Sequence, residues 1–347
     1  MHTVLVALNT ALLNALASDE RVYVLGEDVL DPYGGAFKVT RGLSTAFPER
    51  VLTTPISEAG MVGVATGMAL RGLRPVVEIM FGDFVTLIAD QLINHIAKFR
   101  YMYNNQVRIP LIIRTPMGGR RGYGPTHSQT LEKIFLGIPG LRVLAPCNLG
   151  DPGALLKNAV LTTDDPVLFI ENKLLYTLSV QGISDLSDFS LTLVSRLSPQ
   201  HGKDSEESEK LFAPTYTLTI RGAPPPVLTI AAYGYMAELA RQAVLQLAYE
   251  DEIFAEMVIP TQLAPYEIAP IVDSTQRTHK LLVIEEGNYT LGWGAEILAR
   301  TMEYNGTNLH IAKRLAAVDE PIPASMSLES TVLPGIKEII QAARKMV

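Results

Sequence analysis

The chain has 347 residues, of which 48% are hydrophobic and 19% charged, with a net charge of −7. That length accommodates two ordinary domains, and that balance builds a large core and excludes a disordered chain. The acidic balance, with no basic block, excludes a nucleic-acid partner, and the single cysteine, Cys147, excludes a disulfide framework and a cysteine zinc cluster. Residues 1–20 lack a basic start and a small-residue cleavage site, and predict an amphipathic helix ending near Ser18 and Asp19. No run reaches the roughly 18 apolar residues of a membrane span, so a cytoplasmic protein with no membrane partner is expected.

Strands are predicted at 22–26, 75–80, 109–115, 141–146 and 166–172, with helical periodicity over 83–103 and 149–163. Strand and helix in alternation imply a mostly parallel sheet covered on both faces. From 227 the alternation restarts and runs to a last helix near 335–345, giving a second α/β domain. The fold class is therefore α/β with two doubly wound domains, 1–172 and 227–347. Residues 173–226 read as a linker, with a solvated acid-rich excursion at "SPQHGKDSEESEK" (198–210) and a Pro-rich stop at "RGAPPP" (221–226). Compact folds rarely hold so long a structureless stretch, so a strand or hairpin is expected around 215–220.

Chemistry is sought at strand ends. "TTPISEAGMVGVATGMALRG" (53–72) turns from a strand into a helix capped by Ser57, with Glu58 in the first turn. Gly60, Gly63 and Gly67 make a small face, and Val62, Val64 and Met68 fill the others, so this helix is predicted buried all round. Glu58 is then either a first-turn acid or a buried carboxylate that needs a ligand to donate to it. "GPTHSQ" (124–129) is an irregular loop at another strand end and carries His127, with Arg120 and Arg121 just before it. Those arginines either meet an anionic substrate or pair with acids. Glu27 and Asp28 read as surface acids bordering the same cleft. Phosphate-loop, dinucleotide and H-E-x-x-H motifs are absent, which disfavours nucleotide hydrolysis and zinc chemistry.

Together "LGEDV", "GGAFKVTRGL", "FPERVLTTPISEAGMVGVATGMALRGLRPVVEIMFGDFVTLIADQLINHIAKFRYM", "GPTHSQ", "GIPGLRVLAP", "DDPVLFIENKLLY" and "LLVIEEGNYTLGWGAEILAR" resemble the beta subunit of thiamine-diphosphate-dependent 2-oxo acid dehydrogenases. The resemblance runs along nearly the whole chain and departs only over about 175–226. It implies a pyrimidine-binding domain followed by a transketolase-type C-terminal domain. It implies thiamine diphosphate as cofactor, with its diphosphate and Mg2+ held by a separate alpha subunit, because the G-D-G motif that does so is missing from this chain. Partners are then an alpha subunit, a second beta subunit and a lipoyl-domain acyltransferase. By the same resemblance, Glu58 hydrogen-bonds the aminopyrimidine ring and promotes loss of the thiazolium proton. Ile56 and Met80 flank the ring, Phe84 stacks on it, and His127 handles a proton during acyl transfer. Met117 and the double arginine set the substrate end. A potassium ion near Leu111 and Ala159 is a further family feature. The competing readings are a split transketolase-like enzyme and a non-catalytic scaffold subunit.

Overall fold

The computed structural model describes residues 2–194 and 213–347, and the acid-rich excursion at 198–210 lies outside them. The chain opens with α1 (Val4–Ser18), capped by the Thr3 hydroxyl, which accepts from the Val6 N–H. Its apolar positions Val4, Leu8, Leu12 and Leu16 recur every four residues, so they form one buried stripe, and the helix packs on α5 (Pro152–Thr162). Between them lie β1 (Val22–Gly26), α2 (Leu43–Ala46), β2 (Val51–Thr53), α3 (Glu58–Leu70), β3 (Arg74–Glu78), α4 (Ala97–Met102), β4 (Ile112–Met117) and β5 (Arg142–Leu144). The strand β6 (Val167–Asn172) follows α5.

The second half holds β7 (Phe189–Val194), β8 (Thr215–Ile220), β9 (Leu228–Ala232), α6 (Gly234–Asp251), β10 (Ala255–Pro260), β11 (Gln262–Ala264), α7 (Ala269–Thr278), β12 (Lys280–Asn288), α8 (Trp293–Asn305), β13 (Ile311–Ala317), α9 (Met326–Val332) and α10 (Ile336–Arg344). Two sheets result, with orders β11-β5-β6-β4-β3-β1-β2 and β13-β12-β9-β10-β8-β7. Both are parallel except at one edge: β11 joins the first antiparallel, as do β8 and β7 the second. Because β11 comes from the second half yet completes the first sheet, the halves are interlocked. A single apolar core reflects this, joining Met61, Ile113 and Ile170 to Tyr233, Val258, Leu263 and Trp293.

Three sequence expectations are corrected here. The helix predicted over 83–103 is broken into a tight 3-10 segment (Gly82–Ile88), a wide π-type turn (Gln91–Ile96) and α4. A Cβ on Gly82 would lie 2.1 Å from the Met117 Cγ, so the chain enters this region pressed against β4. The helix α3 is not buried all round: Gly60, Gly63, Val64 and Gly67 form an exposed face, with Val64 62% exposed. Ser57 stands at the N-cap of α3, but its side chain makes no capping bond. In the segment read as a linker, the strand expected around 215–220 is present as β8. It pairs with β7 as a hairpin that extends the second sheet.

The register fixes where a site can form. Gly26 lies opposite both Thr53 and Glu78, and Glu78 lies opposite Arg114. The residues just beyond these strand ends, Glu27, 54–58, 79–84 and the loop after β4, therefore emerge at one carboxyl edge of the first sheet, where parallel sheets bind ligands.

Candidate functional site

Glu58 opens α3, where the helix dipole favours a carboxylate. It is 8% exposed, and among the described residues its carboxylate has no hydrogen-bond partner. Glu27, expected at the surface, is buried beside it, while Asp28 is exposed. Burial pushes the Glu27 carboxyl above its ordinary value, the Glu58 charge adds to the rise, and the Ser57 backbone N–H opposes it. The Oε1 of Glu27 is buried without a partner. Two carboxyl groups thus share an acceptor-rich pocket that offers no donor of its own for Glu58.

Next to it stands a cluster of rings. Phe81 meets Phe84 at 5.8 Å, His127 at 4.8 Å, Phe37 at 5.6 Å and Tyr123 at 6.0 Å between centroids, all edge-on, and Phe84 meets His127 at 5.3 Å. The 3-10 segment carrying Phe84 packs against α3, which brings the rings to the Glu58 side of the edge. Met80 and Phe84 are half-buried. Ile56 is 86% exposed, so this chain alone does not close a pocket around it. Behind the rings lies Lys173, fully buried, its ammonium donating to the His127 carbonyl and sitting 5.3 and 5.5 Å from the Phe81 and Tyr123 ring centroids. Burial lowers its pKa to about 8, with the charges of Asp83 and Glu286 opposing the fall. Asp83 is itself engaged, accepting from the Gln129 side chain at 2.8 Å.

The loop after β4 is clasped by the second half of the chain. Gly118, Arg120, Gly122 and Gly124 all have positive φ, from 67° to 93°. This alternation turns successive backbone N–H groups into an anion-binding concavity. Two carboxylates fill it: Glu286 accepts from Gly119 N–H at 2.7 Å, and Glu329 from Arg120 N–H at 2.6 Å and Gly122 N–H at 3.2 Å. The approach is close at 119, where a Cβ would lie 2.6 Å from the Leu333 Cδ1 and 2.9 Å from the Glu329 Oε1. The sequence analysis left Arg120 and Arg121 equivalent, but the structure separates them. Arg120 binds the Pro334 carbonyl at 2.6 Å and lies 3.5 Å from Glu286, whereas Arg121 reaches over the Phe37 ring.

A model of the transketolase pyrimidine-binding domain matches residues 2–179, and one of the transketolase C-terminal domain matches 222–339. The chain is 36% identical to the pyruvate dehydrogenase E1 component subunit beta-1, mitochondrial, of Arabidopsis thaliana, over 99% of this chain and 88% of that one. It is 34% identical to the pyruvate dehydrogenase E1 component subunit beta of Rickettsia bellii, over 99% and 98%. The chain belongs to the pyruvate dehydrogenase E1 beta-subunit family. A split gene transketolase, solved as an inactive beta4 tetramer, superposes with a TM-score of 0.70 over 100% of this chain and 98% of that one. At 19% identity it shares the fold alone. The named relatives therefore favour the dehydrogenase reading over the transferase and scaffold readings.

For an E1 beta-type subunit the residues present fit the aminopyrimidine end of thiamine diphosphate. Glu58 is a buried acceptor without a protein donor, and the half-buried Phe84 is a ring of the kind on which a flat heterocycle stacks. No group of three or more His, Cys, Asp or Glu side chains among the described residues is placed to hold a metal ion, so no step is assigned to magnesium on this chain. Of the carbonyls near which potassium is expected, that of Leu111 accepts from Val167 N–H, and close to Ala159 the carbonyls of Val160 and Thr163 accept from the Arg74 guanidinium. Glu27, read from the sequence only as a surface acid bordering the cleft, is a buried member of the candidate site, and Phe37, Phe81 and Lys173, grouped there by the structure, were not singled out in the sequence. For Lys173 the available signal was a lysine closing the apolar run "VLFIENK".

Behind the clasp lies a second acid group. Glu285 and Glu132 are both 1% exposed. Burial pushes the Glu285 carboxyl up to about 7, the Gly294 and Trp293 N–H groups at the start of α8 oppose this, and the Glu132 charge adds to it. Glycine is needed at 292 because a Cβ there would meet the Glu285 carboxylate at 2.5 Å. A carboxyl whose folded pKa exceeds its unfolded value contributes stability below about pH 4.5 that is lost as pH rises to about 7. Glu285→Gln should therefore lose less stability than the parent between pH 5 and pH 8, by on the order of 2–3 kcal/mol. Thermal melts at the two pH values check this, and parallel pH slopes would refute it.

Proposed function

We propose that this chain is the beta half of a 2-oxo acid dehydrogenase first component, acting with a separate alpha subunit on a pyruvate-like acid in the cytoplasm. The acyl group passes to the lipoyl group of an acyltransferase. Glu58 carries the proposal: an acid at the start of a helix, buried, and without a protein donor. Thiamine diphosphate, when bound, supplies the carbanion chemistry that expels carbon dioxide. This chain's residues position and tune it. Glu58 holds a proton at a pyrimidine ring nitrogen, from a buried position at the start of α3 that leaves its carboxylate free for the ligand. Phe84 and Met80 fix the plane of the ring. His127, held through its carbonyl by Lys173, handles the proton of acyl transfer.

The exposed Ile56 and the exposed small-residue face of α3 support a partner chain that covers this edge. The diphosphate and Mg2+ are assigned to that alpha subunit, and a second beta subunit completes the assembly. The test is reconstitution. Alone, the chain should show no tight binding of thiamine diphosphate by calorimetry. Mixed with its alpha partner, it should reduce an artificial electron acceptor when a 2-oxo acid is added. Tight binding by the chain alone, or a reconstituted pair silent across a panel of 2-oxo acids, would overturn the proposal.

A further inference from the structure

We propose that Arg121 binds the carboxylate of the 2-oxo acid, and that Arg120, its neighbour in sequence, serves the fold instead. The inference rests on the reading of the chain as a 2-oxo acid dehydrogenase subunit. It adds a substrate-binding residue to that reading.

The two arginines differ in what already satisfies them. Arg120 has positive φ, gives its N–H to Glu329, binds the Pro334 carbonyl and lies 3.5 Å from the buried Glu286. Its charge holds the two halves of the chain together. Arg121 is half-buried and makes no ion pair among the described residues. Its guanidinium lies 5.9 Å from the Phe37 ring centroid, Phe37 meets Phe81 at 5.6 Å, and Phe81 meets His127 at 4.8 Å. Arg121 and His127 therefore border the same patch of rings from two sides.

The neighbouring acids form no ion pair with Arg121 among the described residues, and each has other hydrogen-bond donors. Glu329 is taken by the N–H groups of Arg120 and Gly122, Glu286 by Gly119 and Asn172, and Asp83 by Gln129. Beneath the rings, Lys173 adds a second cation that also lacks an ion pair among the described residues. Lys173 is fully covered and cannot touch a ligand. Arg121 can, and its planar fork matches a planar carboxylate in a way a point charge does not. The result is an unpaired guanidinium bordering the ring patch that also carries the histidine assigned to proton handling, in a partly desolvated setting where a charge-assisted hydrogen bond is strong.

The test uses the pair reconstituted with the alpha subunit, and pyruvate as probe. In Arg121→Gln, KM for pyruvate should rise about tenfold or more while kcat falls by less than about threefold, the signature of lost ground-state binding. Assembly and thiamine diphosphate affinity should be retained. Arg121→Lys, which keeps the charge without the fork, should fall between. In the parent, KM should increase with ionic strength, and Arg121→Gln should flatten that dependence, which a merely structural role would not do. A KM within twofold of the parent, or an unchanged salt dependence, overturns the assignment of Arg121 while leaving the function standing. A parent pair that turns over no 2-oxo acid overturns both.

Discussion

Glu58→Gln should fold, assemble with the alpha subunit and lose decarboxylation by a factor on the order of 10²–10⁴. The substitution is isosteric, and Glu58 makes no hydrogen bond to a described residue that the amide would break. The fold also gains from it: Glu27 is buried beside Glu58, and the Glu58 charge is one of the causes that raise its pKa. Removing that like charge lets Glu27 relax toward its ordinary value, so the melting temperature should stay level or rise. What the amide cannot do is exchange a proton with a ring nitrogen. Rate and stability are thus expected to move independently, which separates a catalytic acid from a first-turn acid that merely supports α3. In the latter case the variant would lose the favourable dipole interaction, melt earlier and keep its turnover. The two measurements are acceptor reduction by the reconstituted pair and a thermal melt of the same preparation. Near-normal turnover sinks the role assigned to Glu58.

Much of this site was legible because its parts lie within short motifs. "ISEAG", "GDF" and "GPTHSQ" each follow a β-rich run, and a parallel sheet sends all such ends to one edge, so Glu58, Phe84 and His127 fall together once the strand order is known. What was not legible depends on contacts across the chain. Lys173 reaches His127 because β6 lies beside β4, a neighbourhood that sequence spacing does not encode. Arg120 and Arg121 look alike until Glu286 and Glu329 arrive from the second half and engage the first. Periodicity also cannot separate a 3-10 turn, a π-type turn and an α-helix over 20 residues. The segment 83–103 therefore read as one helix, although Gly82 just before it is pinned against Met117. The hairpin β7–β8 sits at a sheet edge with one face open, where β7 alternates too weakly to stand out from a linker.

Arg114→Met should destabilise the chain by about 3–5 kcal/mol, because it strands two buried carboxylates. Arg114 is 1% exposed in the middle of the first sheet, with Glu78 on β3 to one side and Glu171 on β6 to the other. It donates to both, through Nε to Glu171 at 2.9 Å and through Nη1 to Glu78, and the Tyr176 hydroxyl donates to Glu171 at 2.6 Å. Glu78 also accepts the Ala36 N–H, next to Phe37. Phe37 in turn contacts Phe81 and Tyr176 at 5.6 and 5.5 Å, so the ion triad props up the ring floor of the site from below. Burial already holds the Glu78 carboxyl above its usual range, and Arg114 is the main opposing force. Without Arg114 that carboxyl rises further. A folded pKa above the unfolded one means stability is lost as pH climbs, so the deficit should be larger at pH 8 than at pH 5. For a chain of this length the melting temperature should drop by roughly 5 °C at neutral pH. Neutralising the stranded acids as well, in Glu78→Gln with Arg114→Met and Glu171→Gln, should recover part of the loss and abolish its pH dependence, since the cost lies in the unpaired charges rather than in the missing arginine. A single variant that melts within about 1 °C of the parent at both pH values would show that the triad is solvated in solution.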